Sequence, residues 1–182
     1  MKLIQDYNPQ WKKDFEALHD IYSDQLSTLN IQIEHVGSTS VIGLAAKAII
    51  DIDIIYYDKE AFENIKQKLD AIGYFHNGDQ GIPFREAFIR KKGQTHKILD
   101  KIIHHLYVCP HDSPELARHL LFRDHLRSST EACRTYERKK REIAAKVSQN
   151  KKEYAALKQT EVNPFIEEMI ERERQNRNTS SK

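Results

Sequence analysis

The stretch His35–Asp58, HVGSTSVIGLAAKAIIDIDIIYYD, sets two aspartates, Asp51 and Asp53, inside a run of isoleucines. Residues 49–57 have the β-branched and aromatic composition of a strand. Side chains alternate across a strand, so Asp51 and Asp53 share one face while Ile50, Ile52 and Ile54 share the other. A buried carboxylate without a partner is costly, so a buried cation, a hydrogen-bond network or a bound metal must compensate these charges. Carboxylates two residues apart on one strand are placed to grip the same divalent ions. Oxygen ligation of that kind suits Mg²⁺ or Mn²⁺, with phosphate oxygens completing the shell.

Upstream, IQIEHV (residues 31–36) alternates and ends in Val36, which predicts another strand. Gly37 and Ser38 follow it directly and precede the small-residue segment GLAAK, where a short helix is expected. Glycine lets a backbone approach phosphate closely, and N–H groups at a helix start favour anions. Ser38 or Thr39 adds a hydroxyl, and Lys47 stands between this turn and the aspartates to neutralise phosphate charge. A phosphate cradle beside a metal-binding pair is the equipment of phosphoryl or nucleotidyl transfer. The alternative is structural: Asp51 and Asp53 paired with Lys47 and Arg85 in an internal salt-bridge network, and Gly37 an ordinary turn glycine.

Outward from this block, Asn8 and Pro9 open a helix whose stripe is Trp11, Phe15, Leu18 and Tyr22. Phe62, Ile65, Leu69 and Ile72 mark a second helix stopped by Gly73. FREAFIRK and IIHHLYV predict two more strands around Gly93. Ser113 and Pro114 then cap a helix through PELARHLLFRDHLR, with further helices over 131–147 and 151–172. The order is α+β rather than repeating βαβ. It divides the chain into a core over 1–110, a helical C-terminal part of the same domain over 111–172, and a polar tail over 173–182 expected to be disordered.

The chain has 182 residues, 39% hydrophobic and 31% charged, with a net charge of only +2. That balance makes no case for nucleic acid or a membrane surface. No apolar run is long enough to span a bilayer and no signal peptide is evident, so a cytoplasmic location is expected. Cys109 and Cys133 match no metal spacing and are read as reduced thiols. The basic run RTYERKKRE (134–142) is read as a solvated helix face.

Strand, Gly-Ser, a short helix, then a strand with Asp-x-Asp resembles the nucleotidyltransferase superfamily, the fold of the DNA polymerase beta palm. More closely, YNPQW, EHVGSTSVIGLAAKAIIDIDI, HHLYVC and FRDHLR together resemble the GrpB family, as do the Tyr-x-x-x-Lys pairs Tyr136/Lys140 and Tyr154/Lys158. The resemblance implies a nucleotidyltransferase-like mixed sheet flanked by helices. It also implies a third metal ligand from a later strand, for which His105 stands in place of a carboxylate. Two departures stand out: Tyr107 where the family has a second histidine, and Ala48 where it has proline. Glu86 and Asp100 are the other acids available.

These readings converge on one expectation. Asp51 and Asp53 hold metal and carry catalysis, His105 completes the metal site, and Gly37, Ser38, Thr39, Lys47, Arg85, Tyr154 and Lys158 bind the phosphates. The chain would transfer a nucleotidyl group, Mg²⁺-dependently, from a nucleoside triphosphate or act on another phosphorylated small molecule. The alternatives are a non-catalytic nucleotide or phosphate-ligand binding module, favoured by Tyr107, or an RNA or protein interaction surface on the charged helices. The base, the acceptor and the oligomeric state are left open.

Overall fold

A computed structural model describes residues 3–148 and 150–180. It is an α+β fold around one five-stranded mixed sheet in the order β1-β2-β5-β4-β3. Helix α1 (Gln10–Gln25) leads into β1 (Ile31–Val36). A single 3₁₀ turn, Ser38–Ser40, and an extended segment connect β1 to β2 (Ile50–Tyr56). Helix α2 (Ala61–Ala71) is followed by β3 (Tyr74–His76), β4 (Glu86–Arg90) and β5 (His104–Pro110). Four helical pieces close the chain: α3 (Pro114–Ser128), α4 (Thr130–Lys146), α5 (Lys151–Leu157) and α6 (Asn163–Ser180), the last two joined by a π-helical turn, Lys158–Val162.

The central strand pair is parallel, with Asp51 opposite His105 and Asp53 opposite Tyr107. On the other side of β2, β1 runs antiparallel, with Glu34 opposite Asp53 and Val36 opposite Asp51. Residues paired in register share a face, so the aspartate face also carries His105, Tyr107 and Glu34. The isoleucine face, Ile50, Ile52 and Ile54, packs under α1 and α2 with Trp11, Leu18, Tyr22, Ile65 and Leu69. Each such side chain contributes about 1.5–3 kcal/mol on burial. α3 lies on the aspartate face, where Leu116 meets Ile55 and Cys109.

The remaining helices build a second core. Tyr136, Ile143, Val162, Met169 and Ile170 pack together and onto Leu3, Val41, Leu44 and Ala45. This docking brings α4 against the connection between β1 and β2.

Four differences from the sequence reading follow from tertiary context. GLAAK is not a helix: Gly43 has φ +83°, and Ala46 bridges to Gln5 through two backbone hydrogen bonds of 2.8 and 2.9 Å. The short strand β3 follows Gly73 with only three residues and pairs with β4. The helix expected over 151–172 is broken by the π turn at Lys158. The tail expected to be disordered continues α6 through Ser180. There Arg177 pairs with Glu173 one turn back (3.1 Å) and with Asp124 of α3 (2.7 Å), so a polar segment gains partners that composition does not reveal. Residues 181 and 182 lie outside the described residues.

Candidate functional site

Gly37 ends β1 with φ +69° and ψ −173°, a region open essentially to glycine alone. A Cβ there would collide with the Asp51 carboxylate. The turn and the first aspartate are thus in direct contact. Ser40 Oγ donates back to the Gly37 carbonyl at 2.6 Å. Thr39 Oγ1 donates to the Ile49 carbonyl (3.1 Å) and therefore accepts from His35 Nε2 (3.0 Å). The hydroxyl turn is tied at both ends to the strands it joins.

Beside this turn a cavity of about 320 Å³ has Ser38, Thr39 and Asp51 along one side. Three lysines, Lys47, Lys140 and Lys158, reach it, together with Tyr154 and His105. Lys47 Nζ sits 4.1 Å above the Tyr154 ring. Lys140 is buried on α4 and donates to Ser38 Oγ (3.2 Å) and to the Ala45 carbonyl. Burial, followed by the charge of Lys158, pushes the Lys140 pKa down to about 7. Burial and the neighbouring Lys158 and Lys151 likewise lower that of Lys47. Lysines crowded this way, with no ion-pairing carboxylate on any of them among the described residues, favour a multiply charged anion.

The aspartates differ in their surroundings. Asp51 is partly exposed and accepts from His105 Nδ1 at 2.9 Å. Asp53 is fully buried at 0% exposure and accepts from His119 Nδ1 at 2.7 Å. His119 Nε2 meets Glu115 at 3.3 Å, so both ring nitrogens face carboxylates and the ring is a two-proton donor. Burial disfavours that charge, but the hydrogen bonds to Asp53 and Glu115 outweigh it and push the pKa up to about 9. The expected salt bridges from Lys47 and Arg85 are replaced by two histidines. Arg85 instead stacks over Tyr107, 4.4 Å from the ring, and is not among the residues lining the lysine cavity. Arg123, on α3, binds Glu34 and the carbonyl of His35 (3.1 Å).

The structure therefore gathers Ser38, Thr39, Lys47, Asp51, His105, Tyr154 and Lys158 around one cavity, with Gly37 against Asp51. Asp53 lies deeper under α3, and Arg85 lies apart. Two residues join that the sequence reading left out of the site. Lys140 sits in a basic run that resembles a solvated face, but its burial comes from α4 docking on the Val41–Ala45 segment. His119 carries no local signal at all.

Among the described residues, no three His, Cys, Asp or Glu side chains form a metal-binding group. Mg²⁺ commonly takes one or two carboxylates and completes its shell with water and substrate phosphate. The two aspartates fit that donor set, because Asp53 Oδ1 is buried with no hydrogen-bond partner. An unpartnered buried carboxylate oxygen is the kind of atom a hard cation satisfies.

Relatives and solved structures place the chain in a family and a fold. UPF0157 protein YqkA of Bacillus subtilis is 34% identical over 143 residues, 76% of this chain and 38% of its own length; this chain thus spans well under half of that relative. UPF0157 protein BH1888 of Halalkalibacterium halodurans is 30% identical over 167 residues, covering 92% of this chain and 80% of that protein. The crystal structure of conserved protein GrpB from Enterococcus faecalis superposes with a TM-score of 0.76 at 27% identity, over 93% of this chain and 98% of that one. The Cid1 poly(U) polymerase bound to MgGTP shares the fold with a TM-score of 0.54 at 13% identity, over 79% of this chain and 44% of that one. No helix among the described residues is long and apolar enough to cross a membrane. Residues 3–172 match the family described as GrpB protein, and the chain belongs to the GrpB family, with a nucleotidyltransferase-like fold.

Proposed function

We propose that the chain is a Mg²⁺-dependent nucleotidyltransferase that holds the triphosphate of a nucleotide in the lysine-lined cavity. The observation that carries this reading is the convergence of Ser38, Thr39, Lys47, Lys140 and Lys158 on one cavity bounded by Asp51. Asp51 and Asp53 would hold the metal, which supplies charge neutralisation and Lewis-acid polarisation of the phosphoryl oxygens. Gly37 lets the backbone come close, the turn hydroxyls hydrogen-bond phosphate, and the lysines balance its charge. His105 donates Nδ1–H to Asp51, which leaves Nε2 with its lone pair free to take a proton. An acceptor hydroxyl then gives that proton to His105 as its oxygen bonds to the α-phosphorus, and the α–β bridging bond breaks with pyrophosphate leaving. The likeness in fold to Cid1 supports the reaction class without naming base or acceptor.

Calorimetry with each nucleoside triphosphate and Mg²⁺, on the natural chain and on Asp51→Asn, tests this reading. Metal-dependent binding that Asp51→Asn abolishes, with pyrophosphate release once an acceptor is supplied, is the expected result. Binding indifferent to Asp51 sinks it.

A second reading, a non-catalytic nucleotide or phosphate-ligand binding module, is favoured by one observation. Opposite Asp53, on the strand expected to bring a third metal ligand, stands Tyr107, and His119 already neutralises Asp53. Tight metal-dependent binding without turnover against a panel of acceptors would select it.

A further inference from the structure

A cavity of about 760 Å³ lies across the Ser38–Ser40 turn from the lysine pocket, and Thr39 belongs to the walls of both. Small-molecule sites commonly measure about 300–1,000 Å³ and combine apolar walls with a few polar groups. Phe15, Val41 and Leu126 supply the apolar wall here. The Phe15 ring stacks on His35 at 4.5 Å. Burial holds the His35 pKa down to about 4, so that ring is uncharged at neutral pH.

Two guanidinium groups, Arg127 and Arg134, line the same space. Arg127 donates Nη2–H to the Ser40 carbonyl at 2.9 Å. Arg134 is exposed and has no ion-pair partner among the described residues. The acids along the cavity are already engaged: Glu16 faces Lys12 at 3.8 Å, and Glu137 binds Arg141 at 2.9 Å and the Ala45 N–H at 3.1 Å. Arg127 also faces Asp124 at 4.0 Å, which leaves Arg134 as the uncompensated charge beside an apolar wall, an arrangement that selects a ligand with the opposite one.

We propose that this cavity binds a small organic monoanion with an apolar body, of the aryl or alkyl carboxylate kind, whose anionic end is held by Arg127 and Arg134. The site is separate from the nucleotide pocket and stands whether or not that pocket performs transfer. It also touches the phosphate turn directly, because Arg127 holds the Ser40 carbonyl.

The test uses the full chain and 8-anilinonaphthalene-1-sulfonate, an aromatic monoanion, with no nucleotide present. Cys133 lines the cavity and is half-buried, whereas Cys109 is fully buried, so a thiol reagent reports on Cys133. The probe is expected to bind at one site, about tenfold more weakly to Arg134→Glu, and to slow Cys133 modification in proportion to occupancy. Arg138→Glu, exposed on the same helix but outside the cavity, should change neither readout. The proposal is overturned by absence of probe binding, by equal affinity in Arg134→Glu, or by Cys133 modification indifferent to bound probe.

Discussion

His119 of α3 donates Nδ1–H to Asp53 of β2 over 2.7 Å, joining residues 66 apart in sequence. The helix thereby supplies the cation that an aspartate within an isoleucine strand requires. Removing one member of a buried ion pair leaves the other charge stranded, at about 3–5 kcal/mol. His119→Leu should lose stability in that range by urea denaturation, and Asp53→Leu combined with it should recover most of the loss. A deficit below about 1 kcal/mol for the single variant would instead equate the pair with a solvated surface bridge.

Gly37→Ala should be damaging twice over. Its backbone conformation costs a residue with a Cβ about 1–3 kcal/mol, and the new methyl must displace Asp51. Gly43→Ala is the matched control, since it also has positive φ but meets nothing within 4 Å. Thermal denaturation should show the larger drop for Gly37→Ala, and Mg²⁺-dependent triphosphate binding should fail only there.

Lys140 gives the lysine pocket a pH dependence. In the free protein its pKa is about 7 because burial and Lys158 oppose its charge, and an anion in the cavity raises it. Anion binding then takes up a proton at pH above about 7, so affinity for a triphosphate falls as pH rises from there toward the bound-state pKa. Lys140→Met should bind more weakly at pH 6.5 and lose this slope. A calorimetric profile across pH 6.5–9 that is equally steep in both proteins refutes the assignment.

His35 makes an acid-side prediction. Its folded pKa of about 4 lies below the ordinary value of 6.5, so the unfolded chain takes the proton first. The stability of its neutral form is present above about 6.5 and is lost as pH falls toward 4. His35→Gln, which keeps an amide donor for Thr39, should flatten the melting-temperature profile over that interval.

Much of the fold is readable locally. Alternation in residues 31–36 and the isoleucine run at 50–56 mark the two strands that carry the turn and the aspartates, and Ser113 accepts from the Leu116 N–H as its position before Pro114 predicts. Tyr154 and Lys158 were accessible only through family resemblance. Nothing in their spacing says that α5 turns back toward β2, where Tyr154 and Lys158 join Lys140 around one cavity. Lys140 and His119 escape sequence reading because their burial and partners come from chain segments 66 to 102 residues away.

The π turn at Lys158–Val162 sets a phase for everything beyond it. Each residue advances an α-helix by about 100°, so deleting one residue here would rotate α6 by that angle about its own axis. Met169 and Ile170, now inward, would swing toward solvent, and Arg177 would lose its aim at Asp124. Insertions and deletions in this turn act as a twist on the whole of α6, a larger disturbance than any single side-chain replacement within it.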